Sequence, residues 1–201
     1  MPRRATKPRS PTIDSEIVKL KSTGADVFFN VTTPKFAAQA IKKNAEIAWK
    51  PLHFLNNVSA SVGAVIKPAG LENAQDIISS AYLKDPTDPQ WKDDAGMKAW
   101  NEFLDKYYPE ANRADIFVMY AYTVAQGLEH VLRASGDNLT RENVMKQAAN
   151  LNDFRTTNLL PGITINTSPI DFAPIKRVQR RRFEGEKWEL FGPTLSSEIG
   201  G

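Results

Sequence analysis

Three short apolar runs, each set off from the next by a helical pattern, constrain this chain more than any other feature. They are Ala25-Asp26-Val27-Phe28-Phe29-Asn30, Leu52-His53-Phe54-Leu55 and Ile77-Ile78-Ser79-Ser80-Ala81-Tyr82. Runs of this length without strict alternation fit strands buried on both faces, as in a parallel sheet. Asp14 reads as the cap of a short helix carrying Ile13, Ile17, Val18 and Leu20, and Gly24 ends it. Thr33-Pro34 reads as an N-cap followed by proline in the first helical position. Ala37, Ala40, Ile41, Ala45 and Ala48 then share one helix face, with Lys42, Lys43 and Glu46 outside. A short helix over residues 61–66, stopped at Pro68-Ala69-Gly70, separates the second run from the third. The order α-β-α-β-α-β with short connections predicts an α/β fold built on an open, mostly parallel sheet. Right-handed crossovers would place helices on both faces.

Composition changes at Lys84-Asp85-Pro86-Thr87-Asp88-Pro89, which reads as a linker and a hinge. Two long helices follow. The first covers about residues 94–108, with Met97, Trp100, Phe103, Leu104 and Tyr107 as its apolar stripe. The second covers about residues 115–134, with Phe117, Tyr120, Ala121, Val124, Leu128, Val131 and Leu132, and Gly136 closes it. Thr140 caps a third helix, with Glu142 in its first turn. After Pro161-Gly162 the pattern turns to strands: Ile163-Thr164-Ile165, then residues 178–183 and 187–190 around Glu184-Gly185-Glu186, a hairpin signal.

The residue inventory argues against an enzyme. There is no cysteine, so thiolate catalysis, disulfides and Cys-based zinc sites are excluded together. Neither a Gly-rich phosphate loop nor HExxH occurs, and His53 and His130 are the only histidines. Asp93-Asp94 sits at a helix start, where acids belong electrostatically. Four Asn-x-Ser/Thr triplets, at Asn30, Asn57, Asn138 and Asn166, read as loop and cap polar residues. No cofactor is implied. The net charge of +3 comes from two clusters, one in residues 1–10 and one of Lys176, Arg177, Arg180, Arg181 and Arg182. Elsewhere the chain is slightly acidic, which excludes nucleic-acid binding as a role of the whole protein. Residues 1–12 read as a disordered basic leader with no apolar segment behind it, so a chain made as written is expected to stay in the cytoplasm.

What remains is positional. Ligands of open α/β sheets bind beyond the carboxyl ends of the strands. Residues 30–34 and 56–59 lie there, both polar and both leading into a helix N-terminus that favours a carboxylate. Plain capping and turn chemistry account for these segments equally well.

Several stretches, in order, resemble a known family. "IVKLKSTGADVFF", "TPKFAAQAIKK", "WKPLHFLNNVSASVG", "PAGLENAQDIISSAYLKDPTDPQWKDD" and "FVMYAYTVAQGLEHVLRASGDNLTRENVMKQAANL" are similar to the second half of type I periplasmic solute-binding proteins of ABC importers. "LLPGITINTSP" and "RRFEGEKWEL" resemble the family's ending, and the nearest group is the Leu/Ile/Val-binding one. The resemblance implies two α/β lobes closing on a ligand, here an incomplete two-lobe architecture. Residues 13–83 would be part of the C-terminal lobe, 84–160 the helical part of the N-terminal lobe after a hinge, and 161–201 the return to the C-terminal lobe. It places ligand contacts at Thr32 and Thr33, after the "FF" strand, and at Asn56 and Asn57, after the next. Relatives that bind amino acids often carry an acid in that second loop; Asn-Asn here points toward other small carboxylates, including aromatic acids. Phe117 and Tyr120 match a position where an aromatic residue lines the cleft, and helix-core packing explains them equally well.

The implied role is capture of branched-chain amino acids or related small carboxylates for an ABC importer permease, in the periplasm. The family's first half is expected to be missing, leaving helix faces and sheet edges exposed. That predicts a poorly stable monomer or self-association. The alternative is a remnant, or a ligand-sensing or interaction module without an importer.

Overall fold

The computed structural model describes residues 12–196. All but one residue of the expected leader lies outside that range. The first helix, α1 (Asp14–Ser22), has Ile13 in the cap position, so Asp14 belongs to the first turn and is not the cap. Gly24 follows it at φ +76°, a conformation that favours glycine. The alternation then proceeds through β1 (Val27–Asn30), α2 (Pro34–Glu46) and β2 (Leu52–Leu55). A π-helical turn (Val62–Ile66) runs into the short α3 (Lys67–Ala69) and leads to β3 (Ile78–Ala81). Two long helices, α4 (Ala95–Tyr107) and α5 (Ile116–Ser135), and the shorter α6 (Arg141–Ala148) form the middle of the chain. The hairpin β4 (Arg177–Glu184) and β5 (Lys187–Ser196) ends it, turning through Gly185 at φ +62°.

One open sheet holds all five strands in the order β1-β2-β3-β4-β5. The first three are parallel, as the α-β alternation requires. β4 pairs antiparallel with β3, and β5 pairs antiparallel with β4. The expected strand at residues 163–165 is absent: Ile165 makes only single bridges, to Phe154 and Ile175.

The main core lies on one face of this sheet. Ala37 and Ile41 of α2, Val62, Val65 and Ile66 of the π turn, and Leu55, Ile77, Phe183 and Trp188 pack together. Trp188 is held further by its indole N–H, which donates to Ala60 O at 2.8 Å. Beside it, Phe28 meets Ile17, Ala40 and Trp49. On α2 the buried set is Ala37, Ala40, Ile41 and Asn44, whereas Ala45 and Ala48 face solvent. Ala48 lies beyond the end of the helix at Glu46, which takes it off that face.

The opposite face of β1 and β2 is open. Val27 is 40% exposed, Leu52 48% and Phe29 69%, with Phe29 stacked on Phe54 at 4.9 Å. The reading of β1 as buried on both sides is therefore corrected: among the described residues, α1 and α2 cover one face of these strands only. The basic run obeys the same period of two. Arg181 points to the buried face, while Arg180 and Arg182 lie over Phe191 on the other. A separate core joins α4 and α5 through Met97, Trp100, Leu104 and Met119. No helix among the described residues is long and apolar enough to cross a membrane.

Candidate functional site

The carboxyl ends of the parallel strands meet the segments that cross to the helical region. Leaving β3, the chain runs antiparallel to residues 157–160: Lys84 N donates to Asn158 O, and Leu160 N to Tyr82 O, both at 2.9 Å. Lys84 fixes the crossing. Its ammonium donates to both carboxylate oxygens of Asp94 and to Thr157 O, each at 2.8 Å. Asp94 also caps α4, accepting from Met97 N. Although partial burial opposes it, the Lys84 contacts and the cap hydrogen bonds hold the Asp94 carboxyl below its ordinary range. The crossing is thus tied down at Lys84.

A second tie joins the sheet side to the start of α5. Gly63 N donates to Ala114 O at 3.0 Å, and Ser61 Oγ donates to Asp115 Oδ1 at 2.9 Å. Asp115 caps α5 with the same oxygen, accepting from Phe117 N. A Cβ on Gly63 would come within 2.8 Å of Ala114 O, so the approach requires glycine.

Between these ties lies a cavity of about 250 Å³. Tyr82, Phe117 and Tyr120 supply its aromatic wall; Val58, Leu83 and Ile116 add apolar surface; Asn57, Ser80 and Arg181 are polar. Burial, with Tyr120 adding to it, raises the Tyr82 phenol above its ordinary value. Among the described residues Arg181 is the one charged residue in the lining, and it pairs with the buried Asp85 at 3.1 Å. A larger groove, about 690 Å³, runs between α4 and α5 past Phe103, Tyr108, Ala121 and Tyr122. It is an uncovered helix surface, whereas the smaller cavity is where both sides of the molecule contribute polar and aromatic groups. The smaller one is the candidate site.

Of the six residues singled out from sequence, Asn57, Phe117 and Tyr120 line this cavity. Thr32, Thr33 and Asn56 do not. Thr32 Oγ1 donates to Asn30 Oδ1 at 2.6 Å, and the Asn30 amide lies 3.3 Å from His53 Nε2. Asn56 donates to Thr32 O and accepts from Ser59 N. These groups bind the two loops to each other. Thr33 is exposed in the cap position of α2, with no side-chain cap hydrogen bond. His53 is buried against Phe28, and that burial lowers its pKa from 6.5 to about 4, so it is neutral. Sequence reasoning missed Tyr82, Ile116 and Arg181. The signal for Arg181 was present as a basic residue in a strand whose neighbours alternate outward.

A family model described as periplasmic binding protein matches residues 3–178. No curated protein sequence matches the chain. Among solved structures, it resembles a branched-chain amino acid ABC transporter protein from Thermus thermophilus with bound valine, at 15% identity and TM-score 0.73. That match covers 92% of this chain and 50% of the other. A leucine-binding protein from Thermotoga maritima matches at 11% identity and TM-score 0.68, over 96% and 51%. A solute-binding protein from Rhodopseudomonas palustris in complex with benzoate matches at 18% identity and TM-score 0.64, over 92% and 48%. The chain spans about half the length of these structures.

Proposed function

The chain belongs to the periplasmic binding protein family, and we propose that it captures a small carboxylate without chemical change, as the solute-binding component of an ABC importer. The observation that carries this reading is the cavity at the strand ends, to which both the sheet side and α5 contribute. Its walls are apolar and aromatic with a few polar groups, the composition expected of a small-molecule site. In this reading residues 13–83 and the final hairpin form one lobe and 84–160 the helical part of the other. Residues 84–89 act as a hinge, and the Gly63–Ala114 and Ser61–Asp115 contacts close the cleft beside the ligand. Asn57, Phe117 and Tyr120 touch the ligand, while Thr32 and Asn56 hold the loops behind it together. The ligand is a branched-chain amino acid or a related carboxylate, including aromatic acids, and the work is done in the periplasm. The valine and benzoate complexes of the structural relatives bracket this range.

The test is thermal unfolding of the full chain with branched-chain amino acids and small aromatic acids. A ligand that binds only the folded state raises the transition by mass action, by about 2.7 kcal/mol at a hundredfold excess over Kd. A transition that none of them moves refutes the reading.

A second reading, self-association as an interaction module, is favoured by the open face carrying Val27, Phe29 and Leu52 beside β1, the edge strand of the sheet among the described residues. Sedimentation velocity over a concentration series tests it. A monomer at all concentrations removes it.

A further inference from the structure

We propose that Arg181 receives the ligand's carboxylate, and that the cleft therefore selects acids lacking an α-ammonium group. This rests on the reading of the cavity as a solute site and narrows it.

The side chain of Arg181 is only 4% exposed, yet the residue lines the cavity. Its guanidinium lies over Trp188 at 4.6 Å. One terminal nitrogen donates to Asp85 Oδ2, while Nε is buried with no hydrogen-bond partner. A guanidinium has five N–H donors in a planar fork that matches a carboxylate. One terminal nitrogen is engaged by Asp85, and because the residue lines the cavity its remaining terminal N–H groups are the donors an incoming anion would meet. Asp85 is occupied on both sides: its other oxygen accepts from Thr87 N and Oγ1. It neutralises Arg181 and competes with the ligand for it.

The remainder of the lining decides what else the ligand carries. Among the described residues no aspartate or glutamate lines the cavity, so an ammonium group would be desolvated there without a counter-charge. Tyr82, Phe117 and Tyr120 offer aromatic surface to an apolar or aromatic body. An acid on a hydrophobic tail fits this set, and an α-amino acid brings a charge that nothing there balances.

Three compounds with one carbon skeleton separate these features: 3-phenylpropanoate, its neutral amide 3-phenylpropanamide, and L-phenylalanine. Calorimetric titration of the full chain is expected to give binding of the acid, with the amide and the amino acid weaker by roughly tenfold or more. Arg181→Lys, which keeps the charge but loses the fork, is expected to weaken the acid about tenfold and shrink its advantage over the amide. Asp85→Asn removes the competing anion and is expected to tighten the acid. A purely structural Arg181 would leave the acid-to-amide ratio unchanged in both variants. That unchanged ratio overturns the proposal, as does L-phenylalanine or L-leucine binding as tightly as 3-phenylpropanoate; in the latter case the solute-binding reading stands. Binding of none of these compounds, nor of L-valine, overturns both. Should Arg181→Lys fail to fold, the wild-type series and Asp85→Asn decide alone.

Discussion

On the sheet side, between α2 and the β4–β5 hairpin, large apolar residues find partners on every side. Ile41, Ile66, Phe183 and Trp188 are all buried to within a few per cent. Along α5 the pattern is as amphipathic, yet Tyr120, Val124, Leu128 and Leu132 are exposed, and only Met119, Thr123, Val131 and Ser135 are buried. The two regions carry the same kind of sequence signal. What differs is the supply of a second surface: α2 has a sheet under it, whereas α5 has α4 on one flank and α6 near its end. A hydrophobic stripe records a preference for burial and does not name what buries it.

Substitutions in matched pairs sharpen this contrast. Trp188→Ala removes an edge-on contact with Phe183 at 5.3 Å and strands Ala60 O. It is expected to lower the unfolding free energy by about 3–5 kcal/mol in urea titration. Leu128→Ala on α5, at 55% exposure, should change it by no more than about 0.5 kcal/mol. If Leu128→Ala approaches the effect of Trp188→Ala, α5 is covered in solution and the comparison fails.

Acid comes next in size. His53 has its pKa lowered by burial to about 4, against 6.5 for the free side chain. Between those values the unfolded chain binds the extra proton. Its contribution is therefore complete above about pH 6.5, lost as pH falls toward 4, and level below that, with about 3 kcal/mol as an upper bound. His53→Gln should flatten the stability profile between pH 6.5 and 5, read by thermal unfolding; an unchanged slope assigns the acid sensitivity to carboxylates.

Two helix glycines give the next pair. A Cβ on Gly96 of α4 would come 2.4 Å from Thr157 O, so Gly96→Ala should destabilise by about 1–3 kcal/mol by forcing the crossing segments apart. Gly127 of α5 has nothing nearer than Phe154 at 4.0 Å. Gly127→Ala should stabilise by about 0.5–1 kcal/mol, the intrinsic helix preference alone. Equal signs for the two would show that α4 is no better seated than α5.

Much of the fold was legible because local rules sufficed. Thr33-Pro34 opens α2, Asp94 and Thr140 cap α4 and α6 with their side chains, and Gly136 ends α5 at φ +56°. The turn at Gly185 set the hairpin register, Glu184 opposite Lys187. The site was legible only in part. Asn57 stood in a loop after a strand, whereas Phe117 and Tyr120 came only from the family resemblance. Thr32 and Asn56 stood in equally good positions but are taken up by each other's loops, which no local pattern reveals. Arg181 needed both the strand period and its partner Asp85, 96 residues away in the chain.

The sequence alone determined the alternation of helices and strands, their caps and turns, and the absence of thiol chemistry, because each depends on residues a few positions apart. Only the tertiary structure decided which face of β1 and β2 is covered, where β4 joins the sheet, and which polar groups meet at the strand ends. Those outcomes depend on contacts between distant segments, and burial is settled by the surface that arrives rather than by the residue that awaits it.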